Sequence, residues 1–372
     1  MATTLTQQER QALHERTPVR VGGGPQSGPG DELERIGAWC RENGWHPDRY
    51  GDDKQVAAFE AKVAALLGLE AAVFMPSGTM AQQIALRIAA DHAGTTLVAM
   101  HPTAHLELHE LGAYTRLHRL EGILLGPRQR PTMAADLAAY PERLAALLVE
   151  LPAREIGGQL PSWDELNALS ALARARGIHL HMDGARLWEA REAYAPRTFA
   201  DICALFDSVY VSFYKGIGAL GGAMLAGTAA FVGEARAWRK RHGGSLWHLY
   251  PYVASAAMRL DAQLVKMPAY RARALSLADR LSRIPGMRIL PSPPQVNLFH
   301  LYLSAPPAAL AAARDQVAAE DGTWLAYGFA EAPVPGWSFL EMSAGDNLLA
   351  LDDEVLVPLY AKLMAVAQAA QA

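Results

Sequence analysis

The feature that most constrains this fold is an alternation of short apolar segments with amphipathic helices between residues 54 and 227. Short continuous apolar runs are typical of strands that are covered on both faces, and parallel strands need a helix between them. Strands are predicted at Ala71–Met75, Thr96–Met100, Ala113–Leu117, Ala146–Leu151, Ile178–Asp183, Ser208–Ser212 and Gly222–Ala226. Helices are predicted at Lys54–Leu67, Thr79–Asp91 and Ser162–Arg176. The sequence therefore predicts an α/β domain built on a mostly parallel, seven-stranded sheet.

The pattern changes after residue 227, where strands and helices mix without regular alternation. Helices are predicted at Ala229–Arg241, Tyr250–Lys266, Pro306–Glu320 and Asp353–Ala370, and strands at Val296–Tyr302 and Trp337–Met342. This mixture is typical of a smaller α+β domain that follows a completed sheet. We predict an N-terminal segment at 1–50, a large domain at 51–250 and a small C-terminal domain at 251–372.

Composition narrows the classes of function. Apolar residues make up 51% and charged residues 19%, as in a packed globular protein, and the net charge of -4 provides no basic surface for nucleic acid or an anionic membrane. The uncharged runs 216–233 and 289–313 are interrupted by glycines and prolines, so neither is predicted to span a membrane. Two cysteines, Cys40 and Cys203, offer no metal-binding spacing. Together with a polar N-terminus, they favour a reducing, cytoplasmic location.

Lys215 is the first candidate for chemistry, because it follows an apolar strand in the stretch SVYVSFYKGIG. A lysine amine that is partly desolvated has a lowered pKa and becomes a nucleophile. Gly216 and Gly218 allow the backbone to approach a bound group closely. By itself, the pattern also fits a surface lysine at the end of a strand.

Two further features stand at the carboxyl ends of predicted strands, where open α/β sheets place their ligands. Asp183, in HMDGAR, could pair with a protonated pyridine nitrogen, although an aspartate before a helix also serves as an N-cap. Ser77, Gly78 and Thr79 connect a strand to a helix whose first amides could hold a phosphate, and simple capping is again the alternative. Together with Lys215, these residues supply an imine lysine, a pyridinium partner and a phosphate site, which is what pyridoxal 5'-phosphate (PLP) requires.

The chain from about Tyr50 to about Gly244 resembles the threonine aldolase and β-eliminating lyase family of fold-type I PLP enzymes. The matching segments are YGDD (50–53), PSGTMAQ (76–82), AHLELHELGA (104–113), HMDGARLWEA (181–190) and SFYKGIGALGGAMLAG (212–227). The resemblance implies an aspartate-aminotransferase-like large domain. It also implies a homodimer or homotetramer with a small-molecule amino acid as substrate.

The resemblance assigns a role to each candidate residue. Lys215 would carry the cofactor as a Schiff base, Asp183 would pair with its pyridine nitrogen, and His105 would stack on its ring. Arg186 would lie near the cofactor and bind the substrate carboxylate. The phosphate would be bound by Ser77, Gly78 and Thr79 together with Ser212.

The segment after the strand that ends near Glu150 departs from the family pattern. It reads ELPAREIGG, so Ala153 and Arg154 stand where the family carries histidine and asparagine. The C-terminal strand SFLEMS has Glu341 or Met342 where the family has an arginine that holds the substrate carboxylate. Arg154 is therefore a second candidate for binding a substrate carboxylate, and an ion pair with Glu155 or Glu150 is its structural alternative.

Several readings of function remain open at this stage. The hypothesis of a PLP enzyme favours retro-aldol cleavage of a β-hydroxy-α-amino acid to glycine and an aldehyde. The alternative reaction is β-elimination or dehydration of a β-substituted amino acid, which would use the same electron sink. His179, His181 and Asp183 lie on one side of a predicted strand and, with the i,i+4 pair His105 and His109, could form the metal site of a hydrolase. A non-catalytic binding module is the third reading.

Overall fold

A computed structural model describes residues 5–24 and 27–370. The larger of two compact units spans Ser27–Lys266 and contains a seven-stranded sheet. Its strands are β1 (Ala71–Met75), β2 (Leu97–Met100), β3 (Glu121–Leu124), β4 (Ala146–Glu150), β5 (His179–Gly184), β6 (Ser208–Ser212) and β7 (Ala223–Gly227). Their spatial order is β1-β7-β6-β5-β4-β2-β3, and β7 runs antiparallel to both neighbours while the other pairings are parallel. The predicted fold class is confirmed.

Helices connect these strands and begin and end where the sequence provides caps. The helix Lys54–Leu67 begins at Asp53, whose side chain accepts a hydrogen bond from the Gln55 N–H at 2.7 Å, and ends at Gly68 in the left-handed region. The α-helices of this unit are Pro29–Glu42, Lys54–Leu67, Gly78–Ala93, His105–Leu108, Ala113–His118, Ala134–Ala138, Trp163–Ala175, Leu187–Ala190, Phe199–Cys203, Ala229–Arg241 and Tyr250–Leu264. Short 3-10 helices lie at Arg154–Ile156 and Arg191–Tyr194.

The strand predicted at Ala113–Leu117 is wrong, because this segment belongs to the helix Ala113–His118. Residues with positive φ stand at both of its ends, Gly112 at 67° and Arg119 at 53°, and they turn the chain into and out of the helix. The missing strand is β3, Glu121–Leu124, which pairs in parallel with β2 at the edge of the sheet. An edge strand with exposed ends lacks the continuous apolar run that marks the central strands.

The loop before β7 is held against the core by aromatic packing. The rings of Phe74 and Phe213 stack with centroids 5.8 Å apart and nearly parallel planes, and both side chains are fully buried. Gly222 lies against this pair with a φ of 92°, and a Cβ at this position would come within 2.0 Å of Phe74 Cζ. Its carbonyl accepts a hydrogen bond from the Phe213 N–H at 3.1 Å. Only glycine satisfies both the conformation and the space at this position.

The second unit consists of the described residues before Ser27 and after Lys266. Its α-helices are Gln7–Arg16, Met267–Leu281, Pro307–Asp321, Asp346–Leu349 and Asp353–Ala369. An antiparallel sheet has the order Ala330–Glu331, Ser338–Ser343, Leu298–Leu303, Met287–Leu290, and the short strands Val19–Arg20 and Thr323–Trp324 pair in parallel. The predicted segment 1–50 includes residues 1–4, 25 and 26, which lie outside the described residues. The domain boundaries at 50 and 250 stay a prediction.

We expect Gly222→Ala to destabilise the protein by more than the cost of its backbone conformation. An alanine with positive φ costs about 1–2 kcal/mol, and overpacking against Phe74 adds about 1–3 kcal/mol. Gly94→Ala is the matched control, because Gly94 also has a positive φ, 65°, but nothing lies within 4 Å of its Cβ position. Urea unfolding of the two apoprotein variants measures the difference. Equal losses of stability would show that Phe74 contributes no steric constraint.

Candidate active site

A cleft in the larger unit collects side chains from the carboxyl ends of its central strands. It is lined by His105, Glu150, Pro152, Arg154, Glu155, Asp183, Ala185, Arg186 and Lys215. The structure therefore brings together the predicted imine lysine, the pyridinium partner, the stacking histidine and both candidate carboxylate-binding arginines. Residues from four separate strand ends meet here because parallel strands present their carboxyl ends at one edge of the sheet.

Lys215 follows β6 in a tight turn, in which the Lys215 carbonyl accepts a hydrogen bond from the Gly218 N–H at 3.0 Å. Burial lowers the pKa of the Lys215 ammonium, and the Arg186 guanidinium lowers it further. The carboxylates of Asp183, Glu150 and Glu189 act in the opposite direction. A lysine in this environment reaches the neutral, nucleophilic form more easily than a lysine in water.

Asp183 is buried on β5 and is held by hydrogen bonds to both carboxylate oxygens. Gln82 Nε2 donates to Oδ2, and the Ala185 N–H donates to Oδ1 at 3.0 Å. Burial raises the pKa of Asp183, and the Lys215 ammonium opposes this shift. The Ala185 contact shows that Asp183 caps the turn that follows it, but the next helix, Leu187–Ala190, has its N-cap at Arg186, so Asp183 is not a helix N-cap.

Gln82 links Asp183 to a buried polar chain. Burial lowers the pKa of His181 to about 3, so its imidazole is neutral. Its Nε2–H donates to Gln82 Oε1 at 2.7 Å, which orients the Gln82 amide so that its nitrogen faces Asp183. His181 Nδ1 lies 2.7 Å from the Ser208 hydroxyl. Gln82 is the last residue of the matching segment PSGTMAQ, but the sequence alone assigned it no role.

Glu150 is a cleft residue that sequence reasoning missed as a functional group. It is the direct neighbour of Asp183 across β4 and β5, and its Oε1 accepts the His105 backbone N–H at 2.7 Å. Burial, followed by the Asp183 carboxylate, raises the pKa of Glu150 to about 8. Its Oε2 is buried without a hydrogen-bond partner among the described residues. At neutral pH this side chain is therefore a neutral carboxylic acid.

Glu189 is a second buried carboxyl that the sequence did not identify. It lies beneath the turn after Lys215, where a Cβ on Gly216 would come within 2.2 Å of Glu189 Oε1. Arg186 Nη1 is 3.9 Å from the same oxygen. Burial raises the pKa of Glu189, and Arg186 opposes the shift. A Cβ at position 216 would therefore displace the buried Glu189 carboxyl, which favours glycine there.

The predicted phosphate residues lie at the start of the helix Gly78–Ala93. Ser77 Oγ accepts the Met80 N–H at 3.3 Å, which is the capping contact of the alternative reading. Gly78 lies under Tyr210, where a Cβ would meet the Tyr210 hydroxyl at 2.1 Å, and Thr79 is exposed. Ser212 is buried, and its hydroxyl donates to the Ala185 carbonyl at 2.7 Å.

Two histidine–glutamate pairs each include one residue that lines the cleft. His105 Nδ1 lies 3.0 Å from Glu110 Oε1, and His109 Nε2 lies 2.8 Å from Glu155 Oε1. The same Glu155 oxygen accepts a hydrogen bond from Arg154 Nη1 at 2.8 Å. The ion pair that formed the structural alternative for Arg154 is thus present, and its partner is Glu155.

The histidines of the metal-site alternative serve other contacts. His179 Nε2 and His181 Nδ1 each lie 2.7 Å from the Ser208 hydroxyl, and His181 Nε2 is bound to Gln82. Among residues 5–24 and 27–370, no three His, Cys, Asp or Glu side chains converge to hold a metal ion. Both nitrogens of His181 are occupied, one by Ser208 and one by Gln82, so it offers no lone pair to a ligand in the cleft.

The donor set in the cleft fits PLP. Lys215 is a buried amine with a lowered pKa, and Asp183 presents a carboxylate that is fixed by hydrogen bonds on the neighbouring strand. The helix Gly78–Ala93 has 16 residues, and its first amides and positive end suit a phosphate.

Within the described part of the chain, no helix is long and apolar enough to cross a membrane.

Comparison with known proteins finds a matching family and related aldolases. Residues 46–306 match the family described as beta-eliminating lyase. An aldolase from Penicillium aethiopicum is 34% identical over 69% of this chain and 68% of its own. A probable low-specificity L-threonine aldolase from Arabidopsis thaliana is 27% identical over 70% of this chain and 76% of its own.

A solved structure matches almost the whole chain. It is the crystal structure of a putative L-allo-threonine aldolase from Listeria monocytogenes, and its sequence is 38% identical. The alignment covers 96% of this chain and 99% of that chain, with a TM-score of 0.90.

We expect Glu150→Gln to change how the stability of the apoprotein depends on pH. Unfolded glutamate ionises near pH 4.5, whereas folded Glu150 keeps its proton up to about pH 8. Stability from this group is therefore fully present below pH 4.5 and is lost as the pH rises to about 8, by at most about 1.4 kcal/mol per pH unit. Glutamine can accept the same His105 N–H but has no proton to lose.

Urea unfolding of the parent and the Glu150→Gln apoprotein between pH 5 and 9 measures this difference. Relative to the parent, the variant should gain stability up to about pH 8 and then no further. Contributions from titrating groups that do not interact with Glu150 cancel in the comparison. A difference that stays constant over this range would mean that Glu150 is ionised in the folded protein.

Proposed function

Since this chain belongs to the beta-eliminating lyase family and is a PLP-dependent lyase, we propose that it cleaves a β-hydroxy-α-amino acid to glycine and an aldehyde. The observation that carries the proposal is the meeting of Lys215, Asp183 and two arginines in one cleft. The aldolases among its relatives support cleavage rather than β-elimination. We further propose that the enzyme is cytoplasmic and homo-oligomeric, and the free thiols of Cys40 and Cys203 fit a reducing compartment.

PLP, when bound, supplies an electron sink that accepts the electron pair of a bond broken at the substrate Cα. Lys215 would hold the cofactor through its ε-amine. Asp183 would keep the pyridine nitrogen protonated, since Gln82 and the Ala185 N–H fix its carboxylate. The helix start at Ser77, Gly78 and Thr79, with Ser212, would bind the phosphate.

The remaining cleft residues would bind and orient the substrate. Arg186 presents its guanidinium beside Lys215, which suits the α-carboxylate of an amino acid. Arg154 lies at the mouth of the cleft and would bind either that carboxylate or a second acidic group. His105 would stack on the cofactor ring, and Glu110 fixes its imidazole. Holding the carboxylate selects which bond at Cα is aligned for cleavage.

We expect the purified protein to be yellow and to convert at least one member of a panel of β-hydroxy amino acids into glycine. Borohydride should fix the cofactor to the peptide that contains Lys215, and Lys215→Ala should lose most of its turnover, since no other amine would hold the cofactor. Mass spectrometry and product analysis make these measurements. Formation of a keto acid with ammonia in place of glycine would establish β-elimination, and a labelled peptide elsewhere would refute the role of Lys215.

Arg154→Ala should lower kcat/KM by about 10- to 150-fold while the absorbance of the bound cofactor stays intact. A hydrogen bond to a charged group contributes about 1.5–3 kcal/mol, and each 1.4 kcal/mol corresponds to about tenfold. Arg116→Ala, an exposed arginine outside the cleft, is the matched control. A larger loss for acidic than for neutral substrates would assign Arg154 to a second carboxylate. Parent-like turnover would leave Arg154 as the structural partner of Glu155.

A further inference from the structure

We propose that His109, oriented by Glu155, is the base that accepts the β-hydroxyl proton of the substrate, an inference that rests on the aldol cleavage proposed above. Cleavage between Cα and Cβ requires the hydroxyl oxygen to lose its proton as it becomes a carbonyl. A positioned side chain that takes this proton accelerates such a step by about 100- to 10,000-fold. No residue proposed to bind the cofactor or the substrate carboxylate has been given the role of this base.

His109 adjoins two residues that line the cleft, His105 and Glu155. It directly follows the short helix His105–Leu108, and its ring centroid lies 5.2 Å from that of His105, which lines the cleft. Its partner Glu155 also lines the cleft and binds Arg154 through the same oxygen. The His109 side chain is 41% exposed, so a bound molecule can approach its ring.

Glu155 determines which nitrogen of His109 is available. An ionised carboxylate only accepts hydrogen bonds, so His109 Nε2 carries the proton that it shares with Glu155 at 2.8 Å. The lone pair of a neutral His109 is then on Nδ1. A carboxylate that fixes the tautomer of an imidazole and stabilises its cation is the arrangement of a general base. In this pair His109 is the catalytic residue and Glu155 the positioning residue.

Cleavage moves one proton and breaks one carbon–carbon bond. His109 Nδ1 takes the hydroxyl proton, and the O–H electron pair becomes the second bond of the aldehyde carbonyl. The Cα–Cβ bond breaks, and its electron pair remains with Cα, where the electron sink that PLP supplies when bound would stabilise it. A proton from solvent adds to Cα and completes glycine, and His109 releases the hydroxyl proton to solvent, which regenerates the base.

The other ionisable groups of the cleft are less suited to this step. Glu150 is a neutral acid at pH 7, and its buried Oε2 does not face solvent. His105 is bound to Glu110 and is assigned to the cofactor ring. Ala153 and Pro152, which follow β4, have no side chain that titrates. His109 is the histidine beside the cleft that has a carboxylate partner and no role at the ring.

The test compares two reactions of the PLP-loaded enzyme that differ in the hydroxyl proton. One is cleavage of a β-hydroxy amino acid, and the other is exchange of the glycine Cα–H in deuterated water, followed by proton NMR. Glycine has no hydroxyl, so exchange does not need the proposed base. His109→Asn should lower kcat for cleavage by about 100- to 10,000-fold while exchange stays within about twofold, and the Kd for glycine, measured from cofactor absorbance, should not change.

Two variants calibrate the result. His105→Asn should impair both reactions, because His105 is assigned to the cofactor. His92→Asn removes an exposed histidine that pairs with Glu234 at 2.9 Å on another part of the same unit, and it should leave both reactions unchanged. Parent-like cleavage by His109→Asn would overturn the inference, as would equal losses in both reactions. A parent enzyme that cleaves no β-hydroxy amino acid would overturn the proposed function, and the inference with it.

Discussion

The burial of Asp183 at the end of β5 is the constraint on which the rest of the site depends. A carboxylate is costly to bury unless it is paired and hydrogen-bonded. Here the Ala185 N–H and Gln82 supply the hydrogen bonds, and Lys215 on the adjacent strand end supplies the opposite charge. The same attraction limits how far burial lowers the pKa of Lys215. The two groups expected to bind opposite ends of a PLP ring therefore control each other's ionisation.

More carboxyls than cations act on Lys215, and burial favours the neutral form of two of these carboxyls. Glu150 and Glu189 are both buried, and burial raises the pKa of each. A neutral Glu150 removes the repulsion that two ionised carboxyls side by side would exert on each other. Burial lowers the pKa of His181, so its imidazole is also neutral and binds Gln82 without adding charge. The cofactor would thus meet fewer negative charges than the number of carboxyls beside Lys215 suggests.

Most of the fold could be predicted from the sequence because its central strands are continuous apolar runs. Six of the seven predicted strands correspond to observed ones, and the wrong one, Ala113–Leu117, is a short segment whose pattern suits either a strand or a helix. For the site, the sequence predicted that Lys215, Asp183 and Arg186 would lie together, which they do. It could not identify Glu189 or assign a role to Gln82, because their importance comes from contacts and burial rather than from a pattern.

The sequence by itself determined the α/β architecture, the family and the residues that suit PLP, because periodicity and strand-end motifs are local properties of the chain. Only the tertiary structure decided which carboxyls keep a proton and which groups share the cleft. Glu150 and Asp183 are distant in sequence and adjacent in the sheet, and the pairing of Glu155 with both Arg154 and His109 depends on a loop and a short helix meeting. Ionisation depends on burial and on neighbouring charges, and the fold alone fixes both.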